Sequence, residues 1–106
     1  MPLKIRGKSD EKLKAVKQVL VEYESKHPRA NIEAYRQNSV SIRVRIIDPD
    51  FAGIDKADRH NTVWQFLDHL PEKVQSEISV LLLLTPDERK KSFANLEFDN
   101  PLPSKL

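Results

Sequence analysis

Cysteine is absent from the 106 residues of this chain. Its absence excludes disulfides, thiolate nucleophiles and cysteine-held metals or clusters, and it is compatible with the reducing cytoplasm, where we expect the protein. Glycine is scarce too, with Gly7 and Gly53 as the only two residues, so no glycine-rich loop can cradle a phosphate. We also find no Ser-His-Asp arrangement in a recognisable context and no His/Glu metal spacing. We therefore expect that the protein is not an enzyme.

Long apolar runs and a strong charge excess are also lacking. No run approaches the ~20 residues that a membrane-spanning helix needs, and the basic start has no apolar h-region of a secretory signal. With 18 basic and 16 acidic residues, the net charge of +2 predicts no nucleic-acid binding by itself. The length is that of one domain. We expect a basic arm over residues 1–8, a domain over 9–95 and a tail over 96–106.

The most regular stretch is a strand that runs into a turn and then into a helix. Apolar residues alternate along 40–47, which is the pattern of a strand with one buried face. Pro49 ends that strand because it has no amide hydrogen, and residues 56–70 are predicted to form a helix. Arg59 and His60 therefore lie in the first turns of a helix that follows a strand. Any chemistry of the chain is expected there.

The other elements follow from apolar periodicity and capping residues. The first is a helix from Ser9 to about residue 25, with one apolar stripe formed by Leu13, Val16, Leu20 and Tyr23. Strands are predicted over 30–36 and over 79–84, the second in the middle of the sheet, with a turn over 36–39 and a short helix over 72–77. A last helix runs from Thr85 to about residue 95, with Glu88 completing a capping box. The predicted fold is α+β in the order α-β-β-α-α-β-α, with a three-stranded mixed sheet and helices on one face.

Two arginines are predicted on the sheet face opposite the core. Arg43 and Arg45 alternate with the apolar stripe of the second strand, so they project away from the buried helices. They could contact phosphates. The interpretation that we favour is that they are ordinary charges on the solvent side of an antiparallel sheet.

The signature Phe51-x-Gly53-x5-Arg59-His60 is followed by a helix and by an apolar strand that ends at Thr85. Together with the element order, it resembles BolA-like proteins over roughly residues 9–90. The resemblance implies a fold similar to the type II KH domain. It also implies a cytoplasmic adaptor that pairs with monothiol glutaredoxins, in which His60 is a ligand to a shared two-iron two-sulfur cluster. Some members are described as transcription regulators that bind DNA, and the family is associated with stress response.

The chain departs from that family pattern at one place. Members that bind a cluster well usually offer a second ligand, cysteine or histidine, in the loop between the first two strands, and residues 36–39 contain neither. Imidazole is a competent iron ligand, but one histidine cannot hold a cluster, so the partner would supply the thiolates. His27 and His69 do not match family ligand positions.

Other interpretations remain open at this level. One is a KH-like nucleic-acid-binding module that uses Arg43, Arg45, Lys56 and Arg59, although the chain has no Gly-x-x-Gly loop. Another is a protein-interaction domain that has lost the cluster. The oligomeric state, monomer or homodimer, is not determined by the sequence.

The signature residues also have structural interpretations. Gly53 allows a turn conformation closed to residues with a Cβ, and Phe51 packs in the core at the turn. Arg59 pairs with Asp55 or Asp58, or supports the start of the helix.

Overall fold

The structure is a computed structural model that describes residues 3–7, 10–91 and 93–99. Its elements, in chain order, are β1 (Leu3–Arg6), α1 (Glu11–Lys26), β2 (Asn31–Asn38), β3 (Ser41–Ile47), a 3-10 turn (Pro49–Phe51), α2 (Lys56–Leu67), α3 (Glu72–Gln75), β4 (Ile78–Leu84), α4 (Pro86–Lys91) and α5 (Phe93–Asp99).

One mixed sheet contains all four described strands in the order β1-β2-β3-β4. β2 and β3 form the predicted antiparallel hairpin, while β1 runs parallel to β2 and β4 runs parallel to β3. A parallel neighbour requires a crossover connection, and α1 and α2 provide the two crossovers. The predicted α+β class is confirmed, and the predicted number of three strands is corrected to four.

The additional strand, β1, lies where the sequence predicted a basic arm. Leu3 and Ile5 pair with Ile32 and Ala34 of β2 and pack, partly buried, against the core, while Lys4 is exposed. Four residues give too short an alternation to predict a strand by themselves. The strand forms because β2 has an edge available for pairing.

The core lies between α1, α2 and one face of the sheet. The predicted stripe of α1 is confirmed, since its four apolar residues are fully buried, as is the alternating stripe of β3 at Ile42, Val44 and Ile46. α1 and α2 pack against each other across this face. Burial of apolar surface at roughly 25 cal/mol per Å² is the main stabilising contribution to such a layer.

Several predicted element ends are corrected. Ser9 was the predicted N-cap of α1, and it lies outside the described residues; the cap is Asp10, whose Oδ1 accepts a hydrogen bond from the Leu13 N–H at 2.9 Å. α2 ends at Leu67 and not at residue 70. The hairpin turn is at residues 39–40, because β2 continues to Asn38.

β4 is an edge strand, although the sequence predicted a central one. Only its last two residues, Leu83 and Leu84, are buried, and Ser79 is exposed. A continuous apolar run fits a doubly covered strand. In this protein the run reflects partial burial on both faces of an edge.

The C-terminal part also differs from the prediction. The single helix expected over 85–95 is divided into α4 and α5, and α5 extends to Asp99, within the predicted tail; residues 100–106 of that tail lie outside the described residues. α5 packs on the sheet face opposite α1, where Phe98 is buried and its ring meets Tyr35 at 4.8 Å. The prediction of helices on one face only is therefore wrong.

Candidate functional site

The bend between β3 and α2 is built by its own local residues. Asp48 follows β3 as the N-cap of the 3-10 turn, and its Oδ1 accepts a hydrogen bond from the Asp50 N–H at 2.8 Å. Gly53 has a φ of +80°, in the left-handed region. Because a Cβ disfavours that region, the structural interpretation of Gly53 is confirmed.

Arg59 is buried in the bend and satisfies acceptors from three segments. Its Nε donates to the Ile54 carbonyl oxygen at 2.8 Å and its Nη1 to the Leu83 carbonyl oxygen at 3.1 Å. Nη1 and Nη2 also donate to the two carboxylate oxygens of Glu88 at 2.6 and 3.1 Å. The predicted partners Asp55 and Asp58 are wrong; Asp55 instead caps α2.

Phe51 and Glu88 complete the surroundings of Arg59. The Phe51 ring is buried, as predicted, and the Arg59 guanidinium lies 5.5 Å from its centroid. Hydrogen bonds from Arg59 and from the Thr85 N–H lower the pKa of Glu88 to about 2. Arg59 and the residues around it therefore stabilise the fold, since the guanidinium faces the interior and its charge is balanced by Glu88.

His60 follows Arg59 in the chain and points the other way, toward solvent. Its Nδ1 lies 2.9 Å from the Lys56 carbonyl oxygen, and its Nε2 lies 3.1 Å from the Leu81 carbonyl oxygen of the edge strand β4. Both neighbours are acceptors. A neutral imidazole has one N–H and donates to only one of them, whereas an imidazolium donates to both.

Lys56 is the exposed basic residue of the predicted set, in which Gly53 is exposed as well. It belongs to the first turn of α2 and borders an open groove of about 230 Å³ that Leu84, Glu88 and Lys91 also line. Lys56 and His60 therefore form the outward-facing part of the bend, and Phe51 and Arg59 form its inward-facing part.

Arg43 and Arg45 are not near this outward face and do not face solvent. They are 8% and 5% exposed beneath α5. Arg45 donates to the carboxylates of Glu33 at 2.8 Å and Asp99 at 2.6 Å, and its guanidinium lies 4.6 Å from the Phe98 ring centroid. The prediction of solvent-side charges is wrong, because α5 covers this part of the sheet.

Across residues 3–7, 10–91 and 93–99, no group of three or more His, Cys, Asp or Glu side chains is arranged to hold an ion. His27 stacks on Tyr23 with ring centroids 4.1 Å apart, and His69 is exposed in the turn after α2. Within the same ranges, no helix is both long and apolar enough to cross a bilayer.

A second polar cluster is not predicted by the sequence. Tyr23, which was predicted only as core, lines a cavity with Asp48, Asp50 and the inward face of Arg59. No local signal in the sequence identifies it, because its residues come from α1, the 3-10 turn and α2.

Comparisons of the chain with protein-family models, with curated proteins and with solved structures find no match. The structure thus defines the class of the protein, an α+β domain with a four-stranded mixed sheet.

Proposed function

We propose that the protein is a non-catalytic adaptor that presents His60 to a metal-bearing partner. The partner that the BolA-like resemblance implies is a monothiol glutaredoxin with a two-iron two-sulfur cluster. The observation that carries the proposal is the exposure of His60 beside two buried signature residues, Phe51 and Arg59. The start of α2 is held by Arg59, Phe51 and the Gly53 turn. The imidazole therefore projects from a well-defined position.

The surroundings of His60 fit the role of a single ligand. A metal-bound histidine usually donates its second ring N–H to a carboxylate or a backbone carbonyl, which fixes the tautomer. The Lys56 carbonyl oxygen, 2.9 Å from Nδ1, offers this arrangement. Nε2 is then the ligating atom, and it must leave the Leu81 carbonyl oxygen to bind iron. The cluster would supply iron as a Lewis acid for that nitrogen.

The remaining ligands would have to come from the partner. The chain has no cysteine, and the hairpin residues 36–39 offer no ligand. The chain itself therefore holds no cluster in this proposal. The shared site would form only in the complex, with thiolates of the glutaredoxin completing it.

The nucleic-acid alternative is not supported by the geometry. Two of its four proposed contacts, Arg43 and Arg45, are buried and engaged with carboxylates or with Tyr35, and Arg59 is buried against Glu88. Only Lys56 is exposed. Phosphate contacts require accessible cationic groups, so we do not propose this function.

The test mixes the protein with a cluster-loaded monothiol glutaredoxin and records visible absorption and circular dichroism. We expect a spectral change with the wild type that is lost in His60→Ala. The matched control is His69→Ala, which removes another exposed histidine of the same helical region and should leave the change intact. An unchanged spectrum in the wild type would reject cluster sharing.

A parallel binding measurement separates the proposal from its alternative. Calorimetric titration with the same glutaredoxin lacking its cluster reports docking alone. Docking without any spectral response would identify a protein-interaction domain that has lost the cluster. Absence of both docking and spectral change would reject the adaptor proposal altogether.

A further inference from the structure

A small cavity lies on the inner side of the bend, between the C-terminal part of α1, the 3-10 turn and α2. Its volume is about 130 Å³. The apolar part of its wall comes from Phe51 and Ile54, and the polar part comes from the residues Tyr23, His27, Asp48, Asp50, Arg59 and Thr62. It is distinct from the outward-facing surface of His60, which does not line it.

Two of the polar groups in this wall are fully buried and have no hydrogen-bond partner. They are the hydroxyl oxygen of Tyr23 and the Oδ2 of Asp48, in side chains that are 0% and 1% exposed. Asp48 Oδ1 is occupied by the Asp50 N–H, so the orphaned Oδ2 is the remaining acceptor of this carboxylate. A buried polar atom without a partner is costly, and both atoms belong to residues that line the same cavity.

The charges of the cavity wall favour a cation. Asp48 and Asp50 contribute two carboxylates, and the guanidinium of Arg59 is already paired with Glu88. On the solvent side, Arg29 pairs with Asp50 at 2.9 Å.

The protonation state of the Tyr23 hydroxyl agrees with the acidic character of the cavity wall. Burial and the charges of Asp48 and Asp50 raise the pKa of the Tyr23 hydroxyl, which therefore stays neutral. Its oxygen can accept a hydrogen bond from an N–H donor.

We propose that this cavity binds a small primary alkylammonium ion. Its ammonium group donates to Asp48 Oδ2 and to the Tyr23 hydroxyl oxygen, and its short alkyl chain packs against Phe51 and Ile54. At roughly 30 Å³ per water molecule, the cavity has the volume of about four waters. That volume suits an ammonium with an alkyl chain of a few carbons.

The experiment is a titration of the full chain with n-propylammonium chloride, followed by amide chemical shifts. We expect saturable shifts at Asp48, Asp50 and Ile54, with a dissociation constant in the millimolar range, as befits so small a ligand. Sodium chloride at equal ionic strength, neutral 1-butanol and anionic butyrate are the ligand controls. Each control should bind with an apparent affinity at least about tenfold lower than that of n-propylammonium.

Two variants test the assigned atoms. Asp48→Asn keeps Oδ1 for the Asp50 N–H and removes the charge at Oδ2, so the fold should persist while the affinity falls about tenfold or more. Tyr23→Phe keeps the ring and removes the hydroxyl, and it should weaken binding severalfold.

The matched control is Asp55→Asn, because Asp55 caps α2 in the same way, through the Asp58 N–H at 2.9 Å, and does not line the cavity. Its affinity should equal that of the wild type. The proposal would be overturned if the wild type showed no saturable shifts, or if Asp48→Asn bound the ion with the same affinity as the wild type. The cavity would then hold ordered water only. His60→Ala should not alter this binding, so its outcome is independent of the adaptor function.

Discussion

Arg59 shows what a single side chain contributes to the bend. It is 4% exposed, and its donors reach Ile54, Leu83 and Glu88 in three separate segments. A buried guanidinium is stable only when its charge and its N–H groups are matched. Arg59 therefore ties α2 to the end of β4 and to α4.

We predict that Arg59→Met lowers the free energy of unfolding by about 3 kcal/mol, because it leaves two carbonyl acceptors and the Glu88 carboxylate without their partner. Chemical denaturation measures this loss. The control is Arg29→Met, which removes an exposed ion pair with Asp50 and should cost no more than about 1 kcal/mol. Equal effects of the two substitutions would contradict the role assigned to Arg59.

At the scale of elements, α4 begins with a reciprocal capping box, as the sequence predicted. The Thr85 N–H donates to Glu88 Oε1 at 2.9 Å, and the Glu88 N–H donates to Thr85 Oγ1 at 3.2 Å. Glu88 also accepts from Arg59, so the same carboxylate caps one helix and holds the start of another. Its ionisation is thereby linked to folding.

The pKa of Glu88 is lowered to about 2 by Arg59 and the Thr85 N–H. Its stabilisation is therefore present above the ordinary value of 4.5 and is lost as the pH falls toward 2. The side chain is 39% exposed, so solvent screening reduces the effect to about 1 kcal/mol. We predict that Glu88→Gln is less stable than the wild type at pH 7, and that this difference shrinks at pH 3.

Denaturation curves at the two pH values test this linkage. The comparison is made between wild type and variant at each pH, because other carboxylates titrate in both proteins. A difference that stays constant from pH 7 to pH 3 would show that Glu88 is not coupled to folding.

α5 is the second element with a clear energetic role. Phe98 is 1% exposed, and its ring contacts the Arg45 guanidinium and the Tyr35 ring. The Tyr35 hydroxyl donates to the Phe98 carbonyl oxygen at 2.9 Å. We predict that Phe98→Ala destabilises the protein by about 3 kcal/mol, through lost burial and a cavity over the sheet. Thermal or chemical denaturation measures it.

The control for α5 is Leu96→Ala. Leu96 is an apolar residue of the same helix that is 62% exposed, so its truncation should change the stability by less than about 0.5 kcal/mol. If Phe98→Ala were equally silent, α5 would not be packed on the sheet in solution.

For the whole molecule, the strand order decides which parts open first. β2 and β3 each have a hydrogen-bonded neighbour on both sides, whereas β1 and β4 are edges. We predict that native-state hydrogen exchange is slowest at β2 and β3 amides and faster along β4, because opening an edge breaks fewer contacts. Slower exchange in β4 than in β3 would contradict the edge position of β4 and would favour the central position that the sequence predicts for this strand.

The adaptor proposal also belongs to this scale. The bend presents His60 next to the edge strand β4, through contact with the Leu81 carbonyl oxygen. A partner that displaces that contact gains access both to the imidazole and to the sheet edge. The cavity that we propose binds an alkylammonium ion lies on the buried side of the same bend. The two proposed sites are therefore on opposite sides of one short segment.

Local pattern was sufficient for much of the architecture. Period-2 alternation predicted β3 and its buried stripe, helical spacing predicted the buried face of α1, and capping chemistry predicted the start of α4 at Thr85. Gly53 was predicted in a turn that needs a positive φ, and it has one. These features depend on a residue and its near neighbours in the chain, so they are visible in one sequence.

The remaining features depend on contacts between distant segments. β1 forms because β2 has an edge available for pairing. α5 covers Arg43 and Arg45 because Phe98 packs on that face of the sheet. Arg59 points inward because it donates hydrogen bonds to Glu88, which lies 29 residues later in the chain. Neither periodicity nor composition encodes such pairings. The sequence by itself determined α1 to α3, the start of α4, the hairpin and the bend. Only the tertiary structure decided which of their charges are buried, since burial results from packing between elements.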